Sequence, residues 1–527
     1  MSDALQQASK QYLVRYGGDA FPKLFRSAKG TVVKDSDGRE YLDFTSGQMC
    51  ATIGHNHPAI IDAVHRAGEK AFHLFSGMIP EVVAELAQTL ARDWLPGDLQ
   101  KTIFINTGSE ATEVALRMAK LYTDGYEVLV LGGSWHGITG GASSVSMASD
   151  RKGYGVPAPG VFVIPEPNAY RPMLPGLSEE ASALAGLELA LTMFDMQSSG
   201  RGAAIIVEPV ISAGGVLVPP QSFMQALRKA ADDRGMLLIF DESQTAFGRI
   251  GSRTGSEYFG VVPDIMTMSK TLGGGLPLAA VATTAKIEEV LHDRHFTFYT
   301  SHVSDPLTAE VGLAVLKVIA EEHLIARATT MGAYLRARLQ ELQERHEAIG
   351  DVRGLGLLLG VELIQDRASK LPAHALGALT TQKCFEKGLS MNIRRRPECG
   401  SVWRIAPPLR VSHNEIDRAS PSWMRRCAKA RPACRLINTP LGSRAVSRSQ
   451  ICQLARQVAQ VYITLADHAI GASQPVAIRL AQVAGAQHHD RDVRPPRLPA
   501  QRMQESEAIH NRHGEVKKDK LRGGARK

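Results

Sequence analysis

Pro263-Asp264-Ile265-Met266-Thr267-Met268-Ser269-Lys270-Thr271-Leu272-Gly273-Gly274-Gly275 is a short apolar run that ends in Ser-Lys and opens into three glycines. Upstream, Met236-Leu237-Leu238-Ile239-Phe240-Asp241-Glu242 is a second such run, and it ends in carboxylates. Short apolar runs bounded by turn residues read as strands buried on both faces. Ligands of such sheets lie at the carboxyl ends of the strands, where Asp241 and Lys270 both fall. An anion to sit under a pyridine nitrogen and an amine to form a Schiff base are the two protein groups that pyridoxal phosphate chemistry needs, so the pair points to that cofactor.

Working outward, further strands are expected at Thr102–Asn106, Glu127–Leu131, Val161–Ile164, Ala203–Val207, Leu237–Asp241 and Ile265–Met268, with helices at Ala111–Tyr122 and Ser222–Asp233 between them. This alternation predicts an α/β fold with a mostly parallel sheet covered by helices. Before it, Thr31-Val32-Val33 and Glu40-Tyr41-Leu42 flank Asp35-Ser36-Asp37-Gly38 as a hairpin. After Pro306, a helix at Leu307–Glu321 and a strand at Val361-Glu362-Leu363 predict a smaller second domain ending near Asp417.

The 527 residues suffice for a large core and for two to four domains. With no long apolar run and no basic-then-apolar leader, a cytoplasmic location is the default expectation. Cys50, Cys384, Cys399, Cys427, Cys434 and Cys452 lack CxxC spacing, which predicts reduced thiols. The net charge of +8 is uneven: residues 418–527 hold 21 Lys/Arg against 7 Asp/Glu, or +14, which leaves −6 for residues 1–417. A basic tail of this kind reads as solvated, and nucleic acid is not expected as a partner. The tail is unlike the rest in composition, as a shifted reading frame or an unrelated extension would be, with one helix expected at Ser449–Asp467.

Thr107-Gly108-Ser109-Glu110-Ala111 follows a strand and opens a helix, offering N–H groups and a hydroxyl to a phosphate; the same residues also read as an ordinary capping box. In Ser134-Trp135-His136-Gly137, Trp135 offers a face on which a heterocycle can stack, although a Trp in a sheet protein is commonly core. Asp241 would keep the cofactor's ring nitrogen protonated, Lys270 would hold the cofactor and carry protons, and Gln244 would reach the ring hydroxyl.

Asp241-Glu242-Ser243-Gln244-Thr245 and Ser269-Lys270 resemble the signature of class III pyridoxal phosphate aminotransferases, a fold type I family. Leu42-Asp43-Phe44-Thr45-Ser46-Gly47-Gln48-Met49, His73-Leu74-Phe75-Ser76-Gly77-Met78, Phe298 to Pro306 and Arg404-Ile405-Ala406-Pro407-Pro408-Leu409 are similar to the branch that decarboxylates 2,2-dialkylglycines and passes the amino group to pyruvate. The resemblance covers about residues 10–417. It implies a seven-stranded large domain over residues 51–305, a small α/β domain over 306–417, and an N-terminal segment, 1–50, packed with the small domain. It also implies that Gln48 receives the carboxylate to be lost and that Arg404 binds the retained carboxylate. Gly108, Ser109 and Ser301, the last from a neighbouring subunit, would bind phosphate, so a homodimer or dimer of dimers is implied. A K⁺ or Na⁺ ion would be held by Leu74, Ser76, Ser301, Val303 and Asp305. A second Na⁺ site near Ala91–Leu99 is not implied, because Trp94 stands where a hydroxyl would be. Two departures stand out: Ala213 replaces a serine of the branch, and Pro421 predicts a broken final helix. A plain ω-aminotransferase is the alternative reading, and a weakly active protein with a nucleic-acid-binding tail is the alternative of another class.

Overall fold

The computed structural model describes residues 2–15, 23–148, 153–396 and 400–424. Its strands form three sheets. The N-terminal sheet contains β1 (Phe25–Lys29), β2 (Val32–Asp35) and β3 (Glu40–Asp43). The central sheet is built from β4 (Leu99–Ile105), β5 (Glu127–Leu131), β6 (Val161–Ile164), β7 (Gly202–Val207), β8 (Leu237–Asp241), β9 (Ile265–Met268) and β10 (Ala279–Thr284). The C-terminal region adds β11 (Ile349–Leu355), β12 (Leu358–Leu363), β13 (Leu389–Ser390), β14 (Asn392–Arg396) and β15 (Gly400–Ile405).

The central order is β4-β10-β9-β8-β7-β5-β6, and β10 is antiparallel to both of its neighbours while the pairs from β9 to β6 are parallel. β5, β8 and β9 are buried throughout because helices cover both faces of the sheet. Period-two alternation divides β8 between two cores. Leu238 and Phe240 pack with Phe223 and Leu227 of the helix Gln221–Asp233, whereas Leu237 and Ile239 face Ala111 and Val114 of the helix Gly108–Thr123. The expected parallel strands are present, and β10 is an addition to them. Three of its six residues are alanines, which carry little strand signal, and it is buried between β4 and β9.

β11-β12-β15-β14 form an antiparallel sheet, and β13 pairs in parallel with β3, so the N-terminal segment shares a sheet with a strand from near the chain's far end. The helix Pro306–Glu321 packs on the helices Pro58–Lys70 and Glu81–Thr89. The next helix, Leu324–Arg345, lies so close to the β11–β12 turn that a Cβ on Gly332 would clash with the Gly356 carbonyl oxygen.

The expected break at Pro421 does not occur: the last described helix runs His413–Met424 and includes it. Ile416 and Ala419 are buried, and Asp417 accepts from Tyr334 Oη at 2.7 Å and Arg338 Nε at 3.2 Å. Tertiary anchoring on the first half of the helix outweighs one lost backbone bond. The helix expected at Ser449–Asp467 lies outside the described residues.

Arg249 joins these parts. It is fully buried, and its Nη atoms donate to the carbonyls of Leu357 and Pro407 and to Ser46 Oγ and Thr52 Oγ1, at 2.5–3.3 Å. Burial lowers its pKa to about 9, with Asp43 pulling the other way. Arg249→Ala would strand these acceptors in the interior and is expected to cost about 3 kcal/mol or more of stability, read as a lower denaturant midpoint at unchanged slope.

Candidate active site

Successive loops at the carboxyl end of the central sheet carry the polar residues. His136 follows β5, Glu208 follows β7, Asp241 ends β8 and Lys270 follows β9. The strands are mostly apolar and buried, apart from Glu127 at the start of β5 and Thr267 within β9, so the chain delivers these groups at one edge of a dry interior.

Asp241 is 4 % exposed. Its Oδ2 lies 2.8 Å from His136 Nδ1, and its Oδ1 accepts from the Ser243 N–H and Thr267 Oγ1, each at 3.1 Å. Burial alone would raise its pKa, but the His136 hydrogen bond and charge, together with Lys270, hold it down at about 2. A carboxylate depressed in the folded state contributes stability above its unfolded value that is lost only as pH falls toward 2, so Asp241 remains an anion at neutral pH. His136 Nε2 is buried without a protein partner among the described residues.

Lys270 sits in left-handed backbone, φ 48°. Burial lowers its pKa and Arg404 pushes the same way, against Asp241, Cys50 and Glu208. The shift favours the neutral, nucleophilic amine. The turn Ser46–Met49 packs on the Lys270 turn, and Thr52 Oγ1 meets Thr271 Oγ1 at 2.9 Å. Ser46, Gly47, Gln48 and Met49 all have positive φ, from 46° to 66°, and Gln48 is exposed on this run. Arg404, on β15, is buried and donates from Nη1 to Gln244 Oε1 at 3.1 Å and Ser212 Oγ at 3.4 Å. Gln244 also donates to Glu208 at 3.3 Å, so its amide links Arg404 to Glu208. Ala213 is buried beside Ser212.

Thr107 caps the helix Gly108–Thr123 in a complete capping box with Glu110. The capping and phosphate readings are compatible, because the box uses the Thr107 and Glu110 N–H groups while those of Gly108 and Ser109 take no protein acceptor among the described residues. Ser109 Oγ accepts from the Ile138 N–H at 3.1 Å. A Cβ on Gly108 would lie 3.0 Å from Ser269 Oγ and 3.3 Å from Ser243 Oγ. Trp135 is half-buried outside the three main cores, and its backbone N–H donates to Glu208 at 2.8 Å. Unused first-turn N–H groups, a buried anion, an amine whose burial lowers its pKa, and the Ser134 and Ser243 hydroxyls, which have no partner among the described residues, together form a set of groups that fits pyridoxal phosphate.

Leu74, Ser76, Val303 and Asp305 are half-buried, and Ser301 is exposed with no bond to Thr107–Ser109. Each Asp305 oxygen takes one imidazole nitrogen at 2.6 Å, from His73 and from His302. Every carboxylate oxygen keeps a second lone pair, so Asp305 remains compatible with a hard cation.

Residues 15–424 match the Aminotransferase class-III family. The chain belongs to that family. An uncharacterized aminotransferase of Schizosaccharomyces pombe is 46 % identical over 78 % of this chain and 92 % of its own length. The 5-aminovalerate aminotransferase DavT of Pseudomonas aeruginosa is 35 % identical over 77 % of this chain and 92 % of its own. The ω-transaminase of Pseudomonas jessenii in complex with PMP has a TM-score of 0.76 at 29 % identity, covering 83 % of this chain and all of that one. The fold is thus that of fold type I transaminases, and the class III aminotransferase uses pyridoxal phosphate. No helix among the described residues is long and apolar enough to cross a membrane.

Of the polar groups around Lys270, sequence reading missed His136 and Glu208 as active groups. Val207-Glu208-Pro209 repeats the strand-then-carboxylate pattern that had singled out Asp241, so the signal for Glu208 was present. Gly108→Ala is expected to weaken cofactor retention about tenfold by crowding Ser269 and Ser243, measured as the cofactor dissociation constant from absorbance.

Proposed function

We propose that this class III aminotransferase decarboxylates 2,2-dialkylglycines to a ketone and CO₂ and then transfers the amino group to pyruvate, giving alanine, as a 2,2-dialkylglycine decarboxylase (pyruvate). The observation that supports the reading is that two groups able to bind a carboxylate by different chemistry lie near Lys270: the Ser46–Met49 turn, which carries the exposed Gln48 amide and packs on the Lys270 turn, and the buried Arg404 guanidinium, whose charge acts on Lys270.

Pyridoxal phosphate, when bound, supplies the electron sink for the bond broken at the substrate's Cα. Asp241 would hold the charge opposite the ring nitrogen, Trp135 would stack on the ring, Gln244 would reach the ring hydroxyl, and Thr107, Gly108, Ser109 and a partner subunit's serine equivalent to Ser301 would hold phosphate. Lys270 would carry the proton to and from Cα. The bond that breaks is the one held perpendicular to the ring, so the residues that grip the carboxylate choose the reaction. Gln48 would take the leaving carboxylate by neutral hydrogen bonds, while Arg404 would take a retained carboxylate through a charged bidentate pair. A neutral grip loosens as the carboxylate's charge leaves, and a charged grip opposes that loss.

Ala213 favours the plain ω-aminotransferase as the second reading, because a polar contact near the leaving carboxylate is missing. With 2-aminoisobutyrate and pyruvate, CO₂ and alanine are expected in equal amounts. Transamination of ordinary amines or amino acids with no CO₂ from 2-aminoisobutyrate would leave the plain aminotransferase standing.

The reading includes a cytoplasmic homodimer or dimer of dimers and a K⁺ or Na⁺ ion at Leu74, Ser76, Ser301, Val303 and Asp305. Replacing K⁺ by a large organic cation is expected to lower activity at least about tenfold, and Asp305→Ala should lack the K⁺ response altogether. Equal rates with and without alkali ions would remove the metal from the scheme.

A further inference from the structure

Glu208 belongs to none of the roles above, yet it joins the residues that perform them. It is 2 % exposed. Its Oε1 accepts the Trp135 N–H at 2.8 Å, while its Oε2 accepts from Gln244 Nε2 at 3.3 Å and from the Ser212 N–H at 3.4 Å. Gln244 Oε1 and Ser212 Oγ are in turn the acceptors of Arg404 Nη1. The result is a closed ring in which one carboxylate binds both Gln244 and Ser212, the two residues that accept from Arg404 Nη1. Arg404 requires the Gln244 oxygen, so the Gln244 amide must turn its NH₂ toward a group that accepts.

We propose that Glu208 is a positioning residue for Arg404, and that it takes up a proton when a substrate carboxylate settles on that guanidinium. The inference rests on the assignment of Arg404 as carboxylate holder. The charged groups facing Glu208 are Asp241 from β8, His136 from the loop after β5, Lys270 from the turn after β9, and, through Gln244, Arg404 from β15. Burial raises its pKa to about 7, Asp241 pushes the same way, and His136 and Lys270 oppose. Glu208 is therefore poised between its two states at neutral pH. A further anion placed on Arg404 favours the protonated state. Because that state favours ligand, affinity is greatest below pH 7 and falls as pH rises through this value.

Isobutyrate, which has the carboxylate but no amine, tests this on the full-length holoenzyme by titration calorimetry in buffers of different ionisation enthalpy. A group half protonated at pH 7 whose pKa rises by one unit gains about 0.4 proton. That uptake is expected in the wild type and should vanish in Glu208→Gln, together with the fall in affinity above pH 7, because the neutral amide stands in for the protonated carboxyl. Uptake that persists in Glu208→Gln, or that is absent from the wild type, overturns the proposal. Should Glu208→Gln fail to fold, the wild-type infrared spectrum decides: a protonated-carboxyl band that grows on isobutyrate binding supports the proposal, and an unchanged spectrum overturns it. Arg404→Met separates the two readings. Unchanged isobutyrate affinity in that variant removes the Arg404 assignment and this proposal together, whereas lost affinity without wild-type proton uptake removes this proposal alone.

Discussion

The hydrogen bond between His136 and Asp241 is the constraint on which the rest of the site depends. A carboxylate at the end of a wholly buried strand would tend to neutralise itself by protonation, and a neutral Asp241 could not take the role proposed for it opposite a charged ring nitrogen. The imidazole, a backbone N–H and the Thr267 hydroxyl hold it ionised. With one negative charge fixed inside, neighbouring groups adjust to it. Lys270 loses part of its affinity for protons through burial, and Glu208 moves toward neutrality. Burial thus pushes the neighbouring groups toward neutrality while Asp241 stays ionised, a division that chemistry at a single carbon needs if some groups are to be charge partners and others proton carriers.

The central strands were legible because burial on both faces removes polar residues from them: β5, β7, β8 and β9 are nearly unbroken apolar runs, and their last residues stand out. β10 was not legible, since alanines fit a tight interior without announcing a strand, and β1, Phe25-Arg26-Ser27-Ala28-Lys29, is mostly exposed and lacks apolar alternation. Asp241 and Lys270 could be found from their strands. Gln48 and Arg404 could not, because one lies on an irregular turn and the other in a strand of a different sheet, and no local pattern joins residues so far apart in sequence. Resemblance to a family supplied them. His136 stands beside Trp135 in the sequence, but no local pattern marks it, because its partner lies 105 residues away. Pro421 misled in the opposite direction: a local rule was applied where packing on Tyr334 and Arg338 decides.

Gln48 and Arg404 owe their relation to a buried cation with no carboxylate among its hydrogen-bond acceptors. Arg249 binds Ser46 and Thr52, on either side of Gln48, and the carbonyl of Pro407, three residues after Arg404. A guanidinium suits this place because its planar donors can reach several acceptors at once, which a lysine ammonium cannot do in the same geometry. The N-terminal segment, the C-terminal sheet and the lysine turn therefore meet at one rigid node.

The left-handed run at Ser46–Met49 also limits how this enzyme can diverge. A β-branched side chain is badly strained at positive φ, so valine, isoleucine and threonine are poor replacements at position 48 whatever their volumes. Variation there is channelled toward glycine, asparagine, serine and unbranched side chains. If Gln48 grips substrate as proposed, backbone geometry, fixed before any substrate arrives, sets the alphabet from which selectivity at this position can be written.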